Sequence, residues 1–340
     1  MSLLKYLASS TTALIFAALA CATLLSVSTV QAQTILRAAH QWPGGIGDVR
    51  DEMIQIIARE VNAADVDLLV RVYPGQSLLK ASDQWSAVVG GHLDLTALPL
   101  DYASGRHPEF SATLMPGLVK NHDHARRLGD SAFMASIKKI IDEAGAVVLA
   151  DAWLAGGFSS TQRCILWPQD IEGQVIRAAG PAFERMLVGA GASISSMPSS
   201  EIYTALQTGV LDAANTSSAS FVSYRIYEHT RCMTAPGENA LWFMYEPVLI
   251  SKRRWNLLDE AQRAAFVAAA DLAEDFFFEQ AKRLDGEMER QFSDAGVEIV
   301  HMTAEQAQAW RDIAATTSYK TFSDEVDGGA ELIRQALSVD

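Results

Sequence analysis

The chain has 340 residues and a formal net charge of −14, and 49% of its residues are hydrophobic. Nucleic acids and anionic membranes are bound through basic stripes, so an acidic chain of this kind is expected to bind neither. The length exceeds what one hydrophobic core usually accommodates, and two domains are therefore expected.

Residues 1–32 are predicted to be a signal peptide. Lys5 supplies a positive start, an apolar run begins at Ala13, and Val30-Gln31-Ala32 fits a cleavage site of small residues. The alternative is an uncleaved membrane anchor, because residues 12–30 are nearly long enough to span a bilayer. The well-placed small residues favour cleavage. The mature protein is then expected to be exported and not embedded in a membrane.

Three cysteines occur, and Cys21 lies in the predicted leader. Cys164 and Cys232 remain in the mature chain. Two remaining cysteines in an oxidising compartment favour a disulfide. Two separate buried thiols are the alternative.

Strands and helices alternate after the leader. The pattern predicts strands at 34–39, 68–73 and 92–98, with helices beginning near Val49 and Leu78 between them. Strands separated by helices indicate a parallel sheet with right-handed crossovers. A helix over about 125–144 and a strand over 147–153 follow. The segment Leu154 to Gly157 then predicts a crossing into a second domain and a hinge near Trp153 to Gly157.

The segment from Asp101 to His124 is predicted to be loop with short helical pieces. His122 and His124, with His107 nearby in sequence, suggest a metal site. Two histidines spaced i, i+2 on a polar loop lack the further ligands that zinc needs, so a solvated loop is the preferred interpretation.

Gly173 to Asn215 contains two predicted strands, 173–178 and 210–215, with helices between them. Arg177 and Asn215 are placed near the carboxyl ends of these strands. Ligands bind at that edge in open α/β sheets. A surface ion pair for Arg177 and a turn-forming role for Asn215 are the alternatives.

A long helix is predicted from Asn256 or Asp259 to about Phe292. It has no proline, and its length of about 50 Å exceeds the width of one domain. Its apolar stripe lacks steady heptads, so a helix that packs along both domains is favoured over a coiled coil.

Several blocks of sequence resemble one known family. They are Gln169 to Arg177, Ser200 to Asp212, Val72 to Leu78, Gly91 to Leu95 and Trp255 to Leu258. Together they resemble the extracytoplasmic solute-binding proteins of tripartite ATP-independent periplasmic (TRAP) transporters, and the resemblance covers nearly the whole mature chain.

The resemblance implies an α/β periplasmic binding protein of two lobes. Each lobe has a mainly parallel or mixed sheet with flanking helices, crossing strands join the lobes, and a long helix spans both. The expected lobe 1 is 33–153 with a return segment at about 242–275, and lobe 2 is 154–241 with about 276–310. A helical segment, 311–340, packs on the lobes.

The implied function is capture of a small organic acid in the periplasm by lobe closure, and its delivery to the membrane subunits of a TRAP transporter. The carboxylate-binding arginine of the family falls on Arg177, and its asparagine falls on Asn215. A guanidinium fork matches a carboxylate with two parallel bonds. A monomer without cofactor is expected.

The chain also departs from the family pattern. Gly157 stands where some sugar-acid binders carry a second arginine, so a smaller or more apolar acid with one carboxylate is expected. Glu246-Pro247 resembles the Glu-Pro of relatives that bind 2-oxo acids with a cation. The acidic residue and tryptophan of those relatives are replaced by Asn215-Thr216, which leaves the cation open.

Aromatic residues at predicted strand ends and helix starts are further candidates for the binding cleft, although each of them fits a hydrophobic core equally well. They are Trp42, Trp153, Tyr203, Phe221 and Trp242.

Two other functional classes are alternatives to a transport protein. A secreted hydrolase is disfavoured because the sequence contains neither Gly-x-Ser-x-Gly nor His-Glu-x-x-His. A periplasmic sensor module that feeds a signalling receptor has the same lobes and stays open as an alternative.

Overall fold

The computed structural model describes residues 33–339, which build two β-sheets flanked by helices. The predicted signal peptide lies outside the described residues. Among the residues from 33 to 339, no helix is both long enough and apolar enough to cross a membrane.

The first lobe is built on a sheet of five strands. They are β1 (Thr34–Ala39), β2 (Leu68–Tyr73), β3 (Leu95–Ala97), β4 (Ala146–Ala150) and β11 (Val248–Ser251). Their order is β2-β1-β3-β11-β4. Strand β1 runs parallel to β3, whereas β11 is antiparallel to both β3 and β4. The sheet is mixed because a strand from far along the chain inserts between β3 and β4.

The second lobe is built on a sheet of seven strands. They are β5 (Trp153–Ser160), β6 (Val175–Ala178), β7 (Ser193–Ser196), β8 (Ala213–Ser217), β9 (Cys232–Thr234), β10 (Trp242–Tyr245) and β12 (Glu298–Val300). The order is β12-β9-β5-β8-β6-β7, with β10 also paired to β5. The predicted strand at 210–215 is wrong by three residues, because residues 208–212 form the turn that follows a helix.

Two short crossings join the sheets, one between β4 and β5 at Asp151-Ala152 and one between β10 and β11 at Glu246-Pro247. The main-chain N–H of Glu246 donates to the carbonyl of Ala152 over 2.8 Å, so the two crossings lie side by side. The second crossing comes four residues later than the return expected at about 242. The expected hinge at 153–157 lies inside β5, because those residues are paired with β10 and β8.

Twelve α-helices pack on these sheets in the described part of the chain. They are α1 (Val49–Ala63), α2 (Ala81–Val89), α3 (His122–Gly129), α4 (Ala132–Ala144), α5 (Pro181–Gly189), α6 (Ile202–Gln207), α7 (Ser218–Ser223), α8 (Lys252–Leu257), α9 (Glu260–Asp294), α10 (Ala304–Ala314), α11 (Lys320–Glu325) and α12 (Gly329–Leu337). Short 3-10 helices include Leu100–Ala103 and Ser199–Glu201.

The long helix is confirmed as α9, which has 35 residues. It begins with a capping box, in which Asp259 accepts from the main chain of Gln262 while the Gln262 side chain accepts from Asp259. Phe266 to Leu284 pack in the core beside α1, and Met288 and Phe292 pack in the core under α7. The helix therefore contributes to the cores of both lobes.

Cys164 and Cys232 form a disulfide, with their Cα atoms 5.0 Å apart. This settles the choice between a disulfide and separate thiols. Among the described residues, the one grouping of metal-ligand type is Cys164, Cys232 and Glu298, and the disulfide removes both thiolates from it.

His122 and His124 belong to a helix start, and the solvated-loop interpretation is wrong for His124. His107 lies apart from them, with its ring against Trp85 and Phe110. Helix α3 begins at His122, and Asn121 caps it by accepting from the main chain of His124. The His124 ring is buried and accepts a hydrogen bond from the main chain of Lys120. His122 instead pairs with Asp285 of α9 at 2.9 Å.

Candidate functional site

Arg177 is the centre of the candidate site. It is the third residue of β6 and is almost fully buried. Its Nε donates to the Met197 carbonyl at 2.9 Å, its Nη1 to the Asn215 carbonyl at 2.8 Å, and its Nη2 to the Tyr102 hydroxyl at 3.0 Å. A guanidinium has five N–H donors, so these bonds leave one donor on each terminal nitrogen. Those two donors form the fork that matches a carboxylate.

Tyr102 joins the first lobe to Arg177. It lies on the 3-10 helix Leu100–Ala103, close after β3. Its hydroxyl oxygen accepts from Arg177 and from the main-chain N–H of Ser199 at 2.9 Å, and it lies 3.5 Å from the side-chain amide of Gln41. One phenol therefore connects residues of both lobes around the guanidinium.

The side chain of Asn215 starts on the opposite face of the second sheet from that of Arg177. Arg177 is paired with Ala214 in the β6–β8 register, and paired residues share a face while successive residues alternate. Asn215 shares its face with Phe158 of β5 and with Ser217. The contact between Arg177 and Asn215 is therefore a hydrogen bond from the guanidinium to the main-chain carbonyl of Asn215, and it does not involve the Asn215 side chain.

The amide of Asn215 is fully buried, and neither its oxygen nor its nitrogen has a hydrogen-bond partner within the protein. Burying an unpaired polar group costs about 1–3 kcal/mol. A buried amide without a partner inside the protein is open to hydrogen bonds from a bound molecule or a water.

A second buried guanidinium, Arg50, lies at the start of α1. Its Nε and Nη2 donate to the two oxygens of Asp48 at 3.0 and 2.7 Å. Its Nη1 donates to Ser220 at 2.9 Å and to Ser217 at 3.3 Å. Arg50 links the first lobe to the end of β8, and four of its five N–H donors are committed to protein oxygens.

Charge pairing controls the protonation of Asp48. Burial by itself raises the pKa of this carboxyl, but the adjacent Arg50 guanidinium outweighs burial and holds the pKa below its ordinary value. The pKa of Arg50 is correspondingly raised, although burial opposes the charge. The two groups form a buried ion pair that stays charged near neutral pH.

Glu246 lies at the second crossing, and its side chain enters the same region. Its Oε2 atom is 3.6 Å from Nη1 of Arg50, which is longer than a hydrogen bond, and this atom has no hydrogen-bond partner. Burial raises the pKa of Glu246 to about 7, and the charge of Arg50 opposes part of that rise. The nearest positive charge to this carboxyl is therefore a guanidinium.

Trp42 is the predicted aromatic residue that lies against Arg50. Its ring lies under Arg50, with the guanidinium carbon 4.5 Å from the ring centroid, and it stacks on His40. The side chain is fully buried, and its indole N–H has no partner. A cation over an aromatic face is attracted by the ring quadrupole, so Trp42 also stabilises the position of Arg50.

Asp101, the neighbour of Tyr102, is buried against the start of α5. A Cβ added at Gly180 would lie 1.5 Å from Oδ2 of Asp101, so only glycine allows this contact between the lobes. Burial raises the pKa of Asp101 to about 7.

The structure places the other aromatic candidates elsewhere. Tyr203 donates to Glu228 at the surface of the second lobe. Phe221 packs on Phe292 in a hydrophobic core, and Trp153 packs on Tyr245. Trp153 and Phe221 lie in cores because burial removes their large apolar rings from water.

Trp242 packs on the second sheet beside Gly156 and lines a separate groove. The groove has a volume of about 290 Å³ and is also lined by Gly157, Thr234, His301 and Met302. It lies at the carboxyl edge of β9 and β12, on the other side of β8 from Arg177. It is a feature distinct from the Arg177 site, since that arginine does not line it.

Arg50, Tyr102 and Gln41 were missed by the sequence reasoning. Gln41 directly precedes Trp42, and Asp48 with Arg50 has the pattern of a helix cap followed by a cation, which is the sequence signal for Arg50. Tyr102 follows the predicted strand at 92–98 closely, so a hydroxyl just after a strand end is the signal that points to it.

A family model and a related protein each match most of the chain. The family model described as bacterial extracellular solute-binding protein, family 7, matches residues 58–325. A solute-binding protein of Albidiferax ferrireducens is 35% identical over 305 residues, which cover 88% of this chain and 90% of that protein.

Solved structures show the same architecture. A TRAP periplasmic solute-binding protein from Rhodoferax ferrireducens with bound malonate has a TM-score of 0.86 at 35% identity, covering 89% of this chain and 98% of that one. A TRAP periplasmic solute-binding protein from Sulfurospirillum deleyianum with bound succinate has a TM-score of 0.82 at 22% identity, covering 91% and 100%. The second similarity concerns the fold alone.

Proposed function

The chain belongs to the family 7 bacterial extracellular solute-binding proteins, and from that premise we propose that it captures a small organic acid and passes it to the membrane subunits of a TRAP transporter. The protein acts in the periplasm as a monomer and releases the acid unchanged. The relative from Rhodoferax ferrireducens holds malonate, so small acids of that size are the first ligands to test.

The observation that carries this proposal is the fork of two uncommitted N–H donors on Arg177. The fork is buried between Tyr102 of the first lobe and β6 of the second. A carboxylate bound there makes two parallel charge-assisted bonds, and exclusion of water strengthens both.

Capture proceeds by closure of the lobes about the two crossings, Asp151-Ala152 and Glu246-Pro247. Contacts such as Tyr102 with Ser199 and Asp101 with Gly180 hold the closed arrangement. Hinge motion at a few residues between rigid lobes is a common way to enclose a ligand. Superimposable scattering curves with and without saturating ligand would contradict this motion.

A thermal-shift screen tests the function. Monocarboxylates, dicarboxylates, sugar acids and aromatic acids are added to the mature protein, and the melting temperature is recorded with product analysis of the same samples. Specific binding to the folded state raises the melting temperature in proportion to ln(1 + [L]/Kd). We expect a rise with at least one small acid and no new product. No rise with any acid, or conversion of the acid, would overturn the proposal.

A further inference from the structure

We infer that a phosphate or sulfate group binds in a surface cavity of the first lobe, at the opposite edge of its sheet from the Arg177 site. The cavity has a volume of about 200 Å³ and is lined by Gly91, Asp94, Ser251, Arg253, Arg254 and Leu257. The captured acid has no part in it, so the inference goes beyond the proposed function. It follows from the charge of these residues, their unused donors and one buried hydroxyl.

The place of the cavity in the fold separates it from the Arg177 site. Asp94 directly precedes β3, and Ser251 ends β11, which runs antiparallel to β3. Both residues therefore lie at the amino end of β3, whereas Tyr102 follows its carboxyl end. Neither Tyr102 nor Arg177 lines the cavity, so the two sites are separate.

The side chains at this edge carry an excess of positive charge. Asp94 accepts from Nε of Arg254 at 2.8 Å and from the main-chain N–H of Arg37 at 2.9 Å, and Nε of Arg37 lies 4.0 Å from the same carboxylate. Arg253 has no ion-pair partner in the part of the chain that the structure describes. Three guanidinium groups and one carboxylate leave two positive charges unbalanced, on a chain whose formal net charge is −14.

The two arginines that line the cavity keep donors that no protein atom accepts. Within residues 33–339, Arg254 donates through Nε alone, and the guanidinium of Arg253 donates to no protein atom. A guanidinium has five N–H donors, so the terminal nitrogens of both side chains are uncommitted. These nitrogens pair with the oxygens of phosphate-type anions through two parallel bonds.

Ser251 adds a buried hydroxyl to the wall of the cavity. The residue is 1% exposed, and its Oγ has no hydrogen-bond partner in the protein. Its main-chain N–H donates to the carbonyl of Asp94 at 2.8 Å, which fixes its position next to the arginines. A buried hydroxyl without a partner is open to a bound molecule or a water, and it can donate to an anion oxygen.

Gly91 leaves the room that an anion needs. Its φ is +70°, in the left-handed region that favours glycine. A Cβ added there would lie 3.1 Å from Cδ of Arg253 and 3.7 Å from Oγ of Ser251. Because glycine has no side chain, the space next to both the guanidinium stem and the hydroxyl stays open.

This donor set favours a phosphate or sulfate group over a carboxylate. A carboxylate has one charge and two oxygens, so the fork of a single arginine satisfies it. A phosphate group carries about −1.5 to −2 charges at neutral pH and at least three strong acceptor oxygens. It can therefore accept from Arg253, Arg254 and Ser251 together and balance the local excess of positive charge.

Calorimetric titration of the mature protein with inorganic phosphate and with sulfate tests the site. Sodium chloride of equal ionic strength is the reference, because salt also screens the charges of an acidic protein. We expect binding of phosphate or sulfate and none of chloride. Co-sedimentation with vesicles that contain phosphatidylglycerol forms the second arm. Binding of the free ion alone identifies a soluble anion as the source, whereas vesicle binding that requires Arg253 identifies a lipid headgroup.

Variants assign the binding to residues. Arg253→Gln removes a guanidinium that holds no protein group, and Ser251→Ala removes the hydroxyl. Each should weaken phosphate binding about tenfold or more. Ser251→Ala should not lower the melting temperature in chloride, because its Oγ bonds to no protein atom. Arg283→Gln is the matched control, since it makes the same charge change at an exposed arginine of α9 and should keep the affinity.

The outcomes that contradict the inference are distinct from failure of the proposed function. The inference is wrong if phosphate, sulfate and vesicles all fail to bind, or if the affinity is unchanged in Arg253→Gln or Ser251→Ala. An equal loss in Arg283→Gln would show an effect of net charge only. Loss of phosphate binding in Arg177→Lys, with binding kept in Arg253→Gln, would place the anion in the acid site. A thermal-shift screen without any binding acid removes the proposed function and leaves this site intact.

Discussion

Tyr102 and Arg177 are joined by a hydrogen bond of 3.0 Å in which the guanidinium donates to the phenol, and this bond connects the two lobes. The same hydroxyl accepts from the main chain of Ser199, so it accepts two hydrogen bonds from the second lobe. The two remaining N–H donors of Arg177 are therefore oriented by a residue of the opposite lobe, and their geometry depends on how the lobes meet.

Tyr102→Phe should weaken ligand binding. It removes the acceptor of two buried N–H donors, one from Arg177 and one from Ser199, and each unpaired donor costs about 1–3 kcal/mol. We expect an affinity loss of about tenfold or more, measured by calorimetry with the best ligand of the screen. Tyr203→Phe is the matched control, because it removes a hydroxyl that bonds only at the surface. Unchanged affinity in Tyr102→Phe would show that the phenol does not orient the fork.

Arg177→Lys should bind acids roughly a hundredfold more weakly, because an ammonium is a point charge without the planar fork. The sequence alone predicts that Arg177→Ala abolishes binding without unfolding the protein. The structure changes that expectation, since Arg177 also satisfies the carbonyls of Met197 and Asn215. We therefore expect a lower melting temperature for both variants before any ligand is added. Retained affinity in the lysine variant would remove Arg177 from the site.

Asp48 and Arg50 should show strong energetic coupling. Removing one partner of a buried ion pair leaves an uncompensated charge, and the expected loss is about 3–5 kcal/mol of unfolding free energy for Asp48→Asn or Arg50→Met. The double variant should lose less than the sum of the single losses. Urea denaturation of all four proteins measures the coupling as a double-mutant cycle. Additive losses would contradict a direct pairing.

The disulfide between Cys164 and Cys232 should stabilise the fold substantially. The two residues are separated by 68 positions, and closing a loop of that length is expected to contribute about 4 kcal/mol by restricting the unfolded chain. Cys164→Ser with Cys232→Ser should lower the denaturation midpoint, and reduction of the wild type should give the same shift. Reductant should have no effect on the double variant, which is the control.

Stability of the unliganded protein should fall as pH rises from about 5 to 7. The ordinary pKa of Glu246 is 4.5 and that of Asp101 is 3.8, and burial raises both to about 7 in the folded state. The folded protein holds more protons than the unfolded chain in this interval, so raising the pH favours unfolding. We expect the melting temperature to drop by a few degrees and the drop to be smaller in Glu246→Gln. An identical pH profile for that variant would show that Glu246 does not titrate there.

Local sequence determined many of the strands and helices without reference to tertiary contacts. Leu68 to Tyr73 form a strand because apolar and β-branched residues suit a pleated surface, and the prediction needs only neighbours in sequence. Asp259 caps the long helix because its carboxylate reaches the main chain three residues on. The position of Arg177 near the carboxyl end of a strand also follows from the residues next to it in sequence.

Tertiary structure decided which polar groups meet. The aromatic candidates could not be sorted from sequence, because Phe221 and Trp42 have the same preference for burial and differ only in what surrounds them. Arg50 and Glu246 are 196 positions apart in sequence, so only the fold brings that guanidinium to 3.6 Å from the carboxyl. The sequence by itself determined most of the elements, the family resemblance and the position of Arg177 near a strand end, since these depend on short-range pattern. The Asn215 amide and Oε2 of Glu246 are buried without a protein partner only once the folded chain surrounds them.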